Sequence, residues 1–179
     1  MPVLMTSRLT CTPVQEQDWP FFLALQQHPD VMRFVAEDRP VAAIREAFDS
    51  RLTPWTPGSA HWLCLVVRDA LSQAPLGLTG YIHREEDCAE VGFLFAPEAQ
   101  GKGYGFESLQ ALCDYAFHQG GIRRLTATVT AGNVASRRLL EKARFRLEGE
   151  LRESYYLSGR WQNDWLFGLL RQEYLNKNS

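Results

Sequence analysis

The chain is poor in the features that mark secreted, membrane or metal-binding proteins. It has only four cysteines, Cys11, Cys64, Cys88 and Cys113. They are far apart and include no Cys-x-x-Cys pair, and three lie inside apolar stretches, where free cysteine behaves as a small hydrophobe. The four histidines, His28, His61, His83 and His118, are single and show no metal-ligand spacing, so no metal site is expected. The longest apolar runs, such as Trp62-Leu63-Cys64-Leu65-Val66-Val67, are too short to span a bilayer. The opening Met1 to Arg8 lacks the charged-then-apolar plan of a signal peptide. A reducing cytoplasm is the expected compartment, without membrane partners. Charge of one sign is also missing: the net charge is −2, so no bulk electrostatic grip on nucleic acid is expected. Basic residues cluster locally, at Arg123 and Arg124 and again from Arg137 to Arg146, which reads as a solvated face. No repeat or linker interrupts the 179 residues, and they form one domain, 1–179, with a core of ordinary size. Only Asn176 to Ser179 reads as disordered.

The patterns that are present alternate between strand and helix. Arg8 to Val14 reads as a strand. Asp18 to Gln27 carries Trp19, Phe22, Leu23 and Leu25 at helical spacing, with Asp18 as N-cap, and His28-Pro29-Asp30 breaks it. Val41 to Leu52 is a second helix. His61 to Arg68, Leu76 to His83 and Glu90 to Phe95 follow at short spacing as an antiparallel meander. An amphipathic helix runs from about Phe106 to His118 and stops at Gly120-Gly121. Leu125 to Thr130 is a strand, and Asn133 N-caps a helix to Ala143. Phe145 to Tyr156 and Trp161 to Leu170 form a hairpin turning at Ser158-Gly159. Strand, glycine loop, helix and strand make a βαβ unit, so its strands are parallel neighbours. The expected fold is α+β: a mixed, largely antiparallel central sheet of about seven strands with helices on both faces.

The most informative run is Gln100-Gly101-Lys102-Gly103-Tyr104-Gly105, between the strand ending at Phe95 and the helix. Three glycines here leave backbone amides free at a helix N-terminus, the arrangement that binds a phosphate-bearing cofactor. Gly-x-Gly-x-x-Gly fails in both frames, at Phe106 and Ser108, and the Gly-x4-Gly-Lys-Ser/Thr motif fails as well. What remains is Gln/Arg-x-x-Gly-x-Gly/Ala.

That spelling resembles the acetyl-CoA-binding loop of the GNAT N-acetyltransferase superfamily. Asn133-Val134-Ala135-Ser136 is similar to the Asn-x-x-Ser helix that follows the next strand there, and Phe145-Arg146-Leu147-Glu148-Gly149 to the family's Gly-Phe-x-x-Glu-Gly ending. Arg160-Trp161-Gln162-Asn163-Asp164-Trp165 and Thr6-Ser7-Arg8-Leu9 resemble the late hairpin and first strand of the branch that acetylates ribosomal-protein N-termini. The motifs run in order over nearly the whole chain. Two departures stand out. Arg144 occupies the position of the family's glycine before Phe145, so the helix exit is expected to be shaped differently. Two residues, Gln162 and Asn163, separate Trp161 from Asp164 where one is commoner.

The resemblance implies acetyl-CoA as co-substrate. Gly101, Lys102, Gly103, Tyr104 and Gly105 would hold its pyrophosphate behind Gln100, with Lys102 adding charge at the rim. The backbone of Phe93-Leu94-Phe95 would pair with the pantetheine amides like an added strand, and Asn133 would bond the same arm. Transfer is direct, so no cysteine is needed as nucleophile. Glu90 is the preferred base, since a carboxylate in an apolar run is costly unless exposed or used. Ala89-Glu90-Val91 is also similar to the base-carrying Ala-Glu-Ile of some histone acetyltransferases in the superfamily. Ser136 is the preferred acid. Glu148 and Glu150 are alternative carboxylates, Tyr155 and Tyr156 alternative acids, and Trp55 a candidate wall of the acceptor pocket, which should form from residues 20 to 55 and the last hairpin. The closest branch implies a protein N-terminal amine as acceptor. A small amine (polyamine, amino acid or antibiotic) and a CoA-binding sensor without catalysis are the rival readings. A monomer or homodimer fits either.

Overall fold

The computed structural model describes residues 2–176; Met1 and residues 177–179, part of the tail read as disordered, lie outside the described residues. In chain order the elements are β1 (Leu4–Met5), β2 (Leu9–Pro13), α1 (Trp19–Gln27), α2 (Pro29–Met32), α3 (Val41–Leu52), β3 (Leu63–Asp69), β4 (Pro75–His83), β5 (Cys88–Phe95), α4 (Tyr104–His118), β6 (Arg124–Thr130), α5 (Val134–Lys142), β7 (Arg146–Leu157), β8 (Arg160–Leu170) and α6 (Arg171–Leu175). The strands form one sheet of eight, ordered β1-β2-β3-β4-β5-β6-β8-β7. This is the expected α+β architecture with one strand more than anticipated: β1 is a two-residue strand that pairs Leu4 with Cys11 and Met5 with Thr10. Every neighbouring pair is antiparallel except β5 and β6, the pair spanned by the βαβ unit.

The strands in the middle of the sheet are apolar because both faces are covered. Leu63 to Val67 of β3 are all buried, and Ala89, Leu125 and Phe167 carry the core across the βαβ unit. Helix α4 buries Leu109, Leu112, Cys113, Ala116 and Phe117, with each large apolar side chain contributing about 1.5–3 kcal/mol. Its end is set by glycine: the Gly120 N–H bonds the Tyr115 carbonyl at 2.8 Å, and Gly121 takes φ +71°. Helices α1 and α3 meet through Trp19, Phe22 and Phe48, with Phe22 and Phe48 ring centroids 5.1 Å apart.

Two local expectations are corrected. Asp18 does not cap α1 with its side chain. Its carboxylate accepts the Gln15 N–H at 2.9 Å and pairs with Arg68 of β3 at 2.5 Å, which ties the entry of α1 to the sheet. His28, where α1 ends, caps the next helix: its Nδ1 accepts the Asp30 N–H at the start of α2. The exit of α5, expected to differ because of Arg144, keeps the ordinary glycine-type shape. The Phe145 N–H reaches the Leu140 carbonyl and the Arg144 N–H the Glu141 carbonyl, both at 2.9 Å, the paired bonds of a Schellman stop. Arg144 itself takes φ +73°, a conformation in which a side chain costs about 1 kcal/mol. Arg144→Gly should therefore raise unfolding stability by about 1 kcal/mol in a urea titration; a loss of stability would contradict this reading of the turn.

Candidate active site

Strands β5 and β6 stay together only briefly. Their parallel register covers Cys88, Ala89 and Glu90 against Arg124, Leu125 and Thr126. Beyond that point β5 continues along β4 as far as Phe95, paired with Gly77. Strand β6 follows β8 as far as Thr130, paired with Asp164. The two edges part, and a cavity of about 470 Å³ opens between them. From Val91 onward the β6-facing edge of β5 has no strand partner, so its N–H and C=O groups are open to an amide-bearing guest.

At the end of β5 the chain turns through Pro97–Ala99 into the glycine loop. The Gln100 side-chain amide donates to the Phe95 carbonyl at 3.0 Å, so Gln100 ties the loop back to the strand. Gly101 and Gly103 adopt φ of +75° and +82°, which aims successive amides outward at the start of α4, where the helix leaves its first N–H groups unpaired. A Cβ on Gly101 would meet nothing within 4 Å. Gly105 serves packing instead, since a Cβ there would lie 3.1 Å from Leu139 Cδ2 on α5. The start of α4 is thereby packed against the C-terminal half of α5, where Lys142 Nζ also lies 4.3 Å from the Phe106 ring centroid. Lys102 is exposed.

The loop is clamped from the N-terminus, which sequence reasoning missed. Arg8 donates through Nη1 to the Lys102 carbonyl at 3.0 Å and through Nε to Glu107 at 2.8 Å, and its guanidinium lies 4.6 Å from the Tyr104 ring centroid. The Thr6 hydroxyl and the Arg8 N–H bond the same Glu107 carboxylate. Burial works against that charge, but the bonds from Thr6 and Arg8 outweigh it and hold the carboxyl below its usual range. The only trace in the sequence is Thr6-Ser7-Arg8-Leu9, which reads as strand.

Of the residues expected to act, Glu90, Phe93, Leu94, Asn133 and Ser136 all line the cavity. Glu90 is half-buried and its Oε1 receives Arg84 Nη2 at 2.9 Å. Asn133 caps α5 by accepting the Ser136 N–H at 3.3 Å. Tyr155 also lines the cavity, but its hydroxyl donates to the Val35 carbonyl at 2.6 Å. Together with the Ser158 N–H on Glu37 at 2.7 Å, that bond pins the segment between α2 and α3 against the last hairpin. Glu148, Glu150 and Tyr156 do not line the cavity. Glu148 is held by both terminal nitrogens of Arg124, which depress its pKa. Glu150 accepts from Asn163 and Trp165, and Tyr156 stacks edge-on against Trp161. Trp55 does not wall the acceptor pocket; it is 2% exposed, set against Tyr81, Tyr115 and a stacked His83. Cys64 lines the cavity, yet burial pushes its thiol up to about 11, which keeps it protonated at neutral pH. Among the described residues no group of three His, Cys, Asp or Glu is placed to hold a metal, and no helix is long and apolar enough to cross a membrane.

The acetyltransferase (GNAT) domain family matches residues 8–146. The N-acetyltransferase p20 of Bacillus licheniformis is 28% identical over 97% of this chain and 99% of its own. The ribosomal N-acetyltransferase-like YdaF of Bacillus subtilis is 31% identical over 48% of this chain and 47% of its own. Among solved structures, spermidine N-acetyltransferase from Vibrio cholerae in complex with CoA and spermine superposes with a TM-score of 0.84 at 26% identity, covering 96% of this chain and all of that one.

The clamp has a pH signature. Because the Glu107 pKa is lower folded than unfolded, its contribution is complete above the ordinary carboxylate range and is lost as pH falls through the depressed value. Glu107→Gln should cost about 1–2 kcal/mol at neutral pH, with the difference from wild type shrinking in acid. Arg8→Ala should weaken CoA binding roughly tenfold in calorimetry, as loss of one charge-assisted bond to the loop and its anchor would. A CoA affinity indifferent to Arg8 would show that the loop needs no clamp.

Proposed function

The chain belongs to the GNAT acetyltransferase family, and we propose that it transfers the acetyl group of acetyl-CoA to the primary amine of a small molecule held in the cavity beside β5. The observation that carries this reading is the parting of β5 from β6 after Glu90, which leaves an open strand edge beside a cavity, with the glycine loop following from the end of that strand. The residues present suit acetyl-CoA. The free edge at Phe93, Leu94 and Phe95 offers backbone partners to the pantetheine amides, as an added strand would. The loop from Gly101 to Gly105 offers N–H groups to the pyrophosphate, with Gln100 and Arg8 fixing its shape. The side-chain nitrogen of Asn133 serves the arm from the α5 side, its oxygen being engaged as a cap.

Bound acetyl-CoA supplies a thioester carbonyl: the amine lone pair forms the C–N bond, the C–S bond breaks, the amine loses a proton and the departing thiolate gains one. Glu90 takes the proton from the amine. Both bonds from Arg84 end on Oε1, so Oε2 is the oxygen open to the acceptor. Ser136, in the first turn of α5, stands on the opposite side of the cavity as donor to the leaving sulfur.

A small amine suits the site better than a polypeptide N-terminus. The segment contributing Phe34, Val35 and Ala36 lines the cavity and is fastened to the last hairpin through Tyr155, which narrows the room for a polypeptide. A structural relative that covers 96% of this chain holds CoA and spermine, whereas the similarity to YdaF spans about half of the chain. Acetyl-CoA should bind in calorimetry, and thiol release should follow with a primary amine. Glu90→Gln should lower kcat by about 10²-fold and Ser136→Ala by about tenfold, with acetyl-CoA affinity retained for Glu90→Gln. Turnover unchanged in both variants would remove these roles. Tight acetyl-CoA binding without transfer to any amine would favour a CoA sensor.

A further inference from the structure

The acceptor cavity contains two arginines that no carboxylate neutralises. Arg51, in the last turn of α3, is half-buried; its Nη1 returns to the Ala47 carbonyl at 3.0 Å, and its guanidinium sits 5.7 Å from the Phe22 ring centroid. Arg39, in the pinned segment before α3, donates to the Gln26 side-chain oxygen at 2.5 Å. Both line the cavity. Among the described residues neither is ion-paired, although arginine is paired elsewhere on the chain, as in Arg8–Glu107, Arg68–Asp18 and Arg124–Glu148. Burial presses the Arg51 pKa down, and the like charge of Arg39 adds to that. A partly desolvated cation beside a like charge is unfavourable until an anion joins it.

The carboxylates of the cavity lie on the other wall. Glu90 belongs to β5 and is matched by Arg84. Asp164 belongs to β8 and accepts the Ser154 hydroxyl at 2.9 Å. The unpaired cations therefore lie on the helical wall and the carboxylates on the sheet wall. A polyamine brings positive charge to both walls and meets the two arginines unfavourably. A molecule with an amine at one end and an acid at the other matches both.

We infer that the acceptor is an amine that also carries a carboxylate, a free amino acid or a small acid of that kind, its acid group received by Arg51 and Arg39 while its amine faces Glu90; the inference rests on acetyl transfer as proposed above. Guanidinium is the group suited to this task, since its planar fork meets a carboxylate with two parallel bonds.

The test compares acceptors that differ only in the acid: 6-aminohexanoate and glycylglycine against their amides, with spermidine as the multiply charged amine. The acids should exceed their amides by about tenfold or more in kcat/KM, as charge-assisted bonds to a guanidinium would give. Arg51→Gln and the exposed Arg39→Gln should each collapse that ratio through KM, and Arg51→Lys should restore part of it. Equal use of acid and amide, preference for spermidine over both acids, or a ratio unmoved by either substitution would overturn the inference. If no amine is acetylated, the transfer reading falls separately. Calorimetry of the same pairs on the CoA-bound protein then decides: tighter acid binding that is lost in Arg51→Gln supports the anion site, and equal binding of acid and amide removes it.

Discussion

Strand β5 is paired from Ala89 to Phe95 on one edge and over three residues on the other. That asymmetry organises the molecule. A strand inside a sheet ordinarily has both rows of backbone groups satisfied by neighbours, and leaving one row open is costly unless something else pairs with it. Here β6 is drawn away by its ladder with β8, which continues to Thr130 and Asp164. The row left open on β5 faces a cavity rather than bulk core. The open strand edge and the cavity are consequences of the same divergence, and with the helix start after Phe95 they make up the proposed cofactor site.

The surrounding elements keep that opening in shape. On the loop side, Gly105 lets Leu139 approach α4, so the first turn of α4 packs against α5. Arg8 and Glu107 fasten the loop to β2 and so to the far half of the sheet. On the acceptor side, Tyr155 and the backbone of Ser158 hold the segment between α2 and α3 against the hairpin. In the proposed site the cofactor is met by backbone groups and glycines, and the acceptor by side chains from parts of the chain far apart in sequence.

This division explains what could be read from the sequence. The glycine loop, the Asn133 cap, Ser136 and Glu90 lie in a contiguous βαβ stretch where local spacing fixes relative position, and the structure brings Glu90, Asn133 and Ser136 to one cavity. The limits of α3, β4 and the end of β5 follow from the apolar periodicity of their residues and needed no tertiary information. The Arg8–Glu107 clamp joins residues about a hundred positions apart through an exposed arginine, and no periodicity marks such a pair. Trp55 misleads for a related reason. A Pro/Gly-rich segment suggests an exposed rim, but stacking on His83 and contact with Tyr81 draw the indole into the core. Arg144 shows the backbone overriding residue preference, because the Schellman bonds at the end of α5 hold it left-handed without a glycine. The pairing of Tyr155 with Val35 and the isolation of Arg51 emerge only once the hairpin and helices close on each other.

In the proposed site the open edge of β5 and the loop after it receive acetyl-CoA. Amide hydrogen exchange with and without CoA tests this directly, because it reads those backbone groups. Slowed exchange is expected at residues 91–95, at residues 101–105 and in the first turn of α5, with β1 to β3 unaffected. CoA binding that leaves the edge of β5 and the glycine loop unprotected, or that protects a different surface, would contradict it.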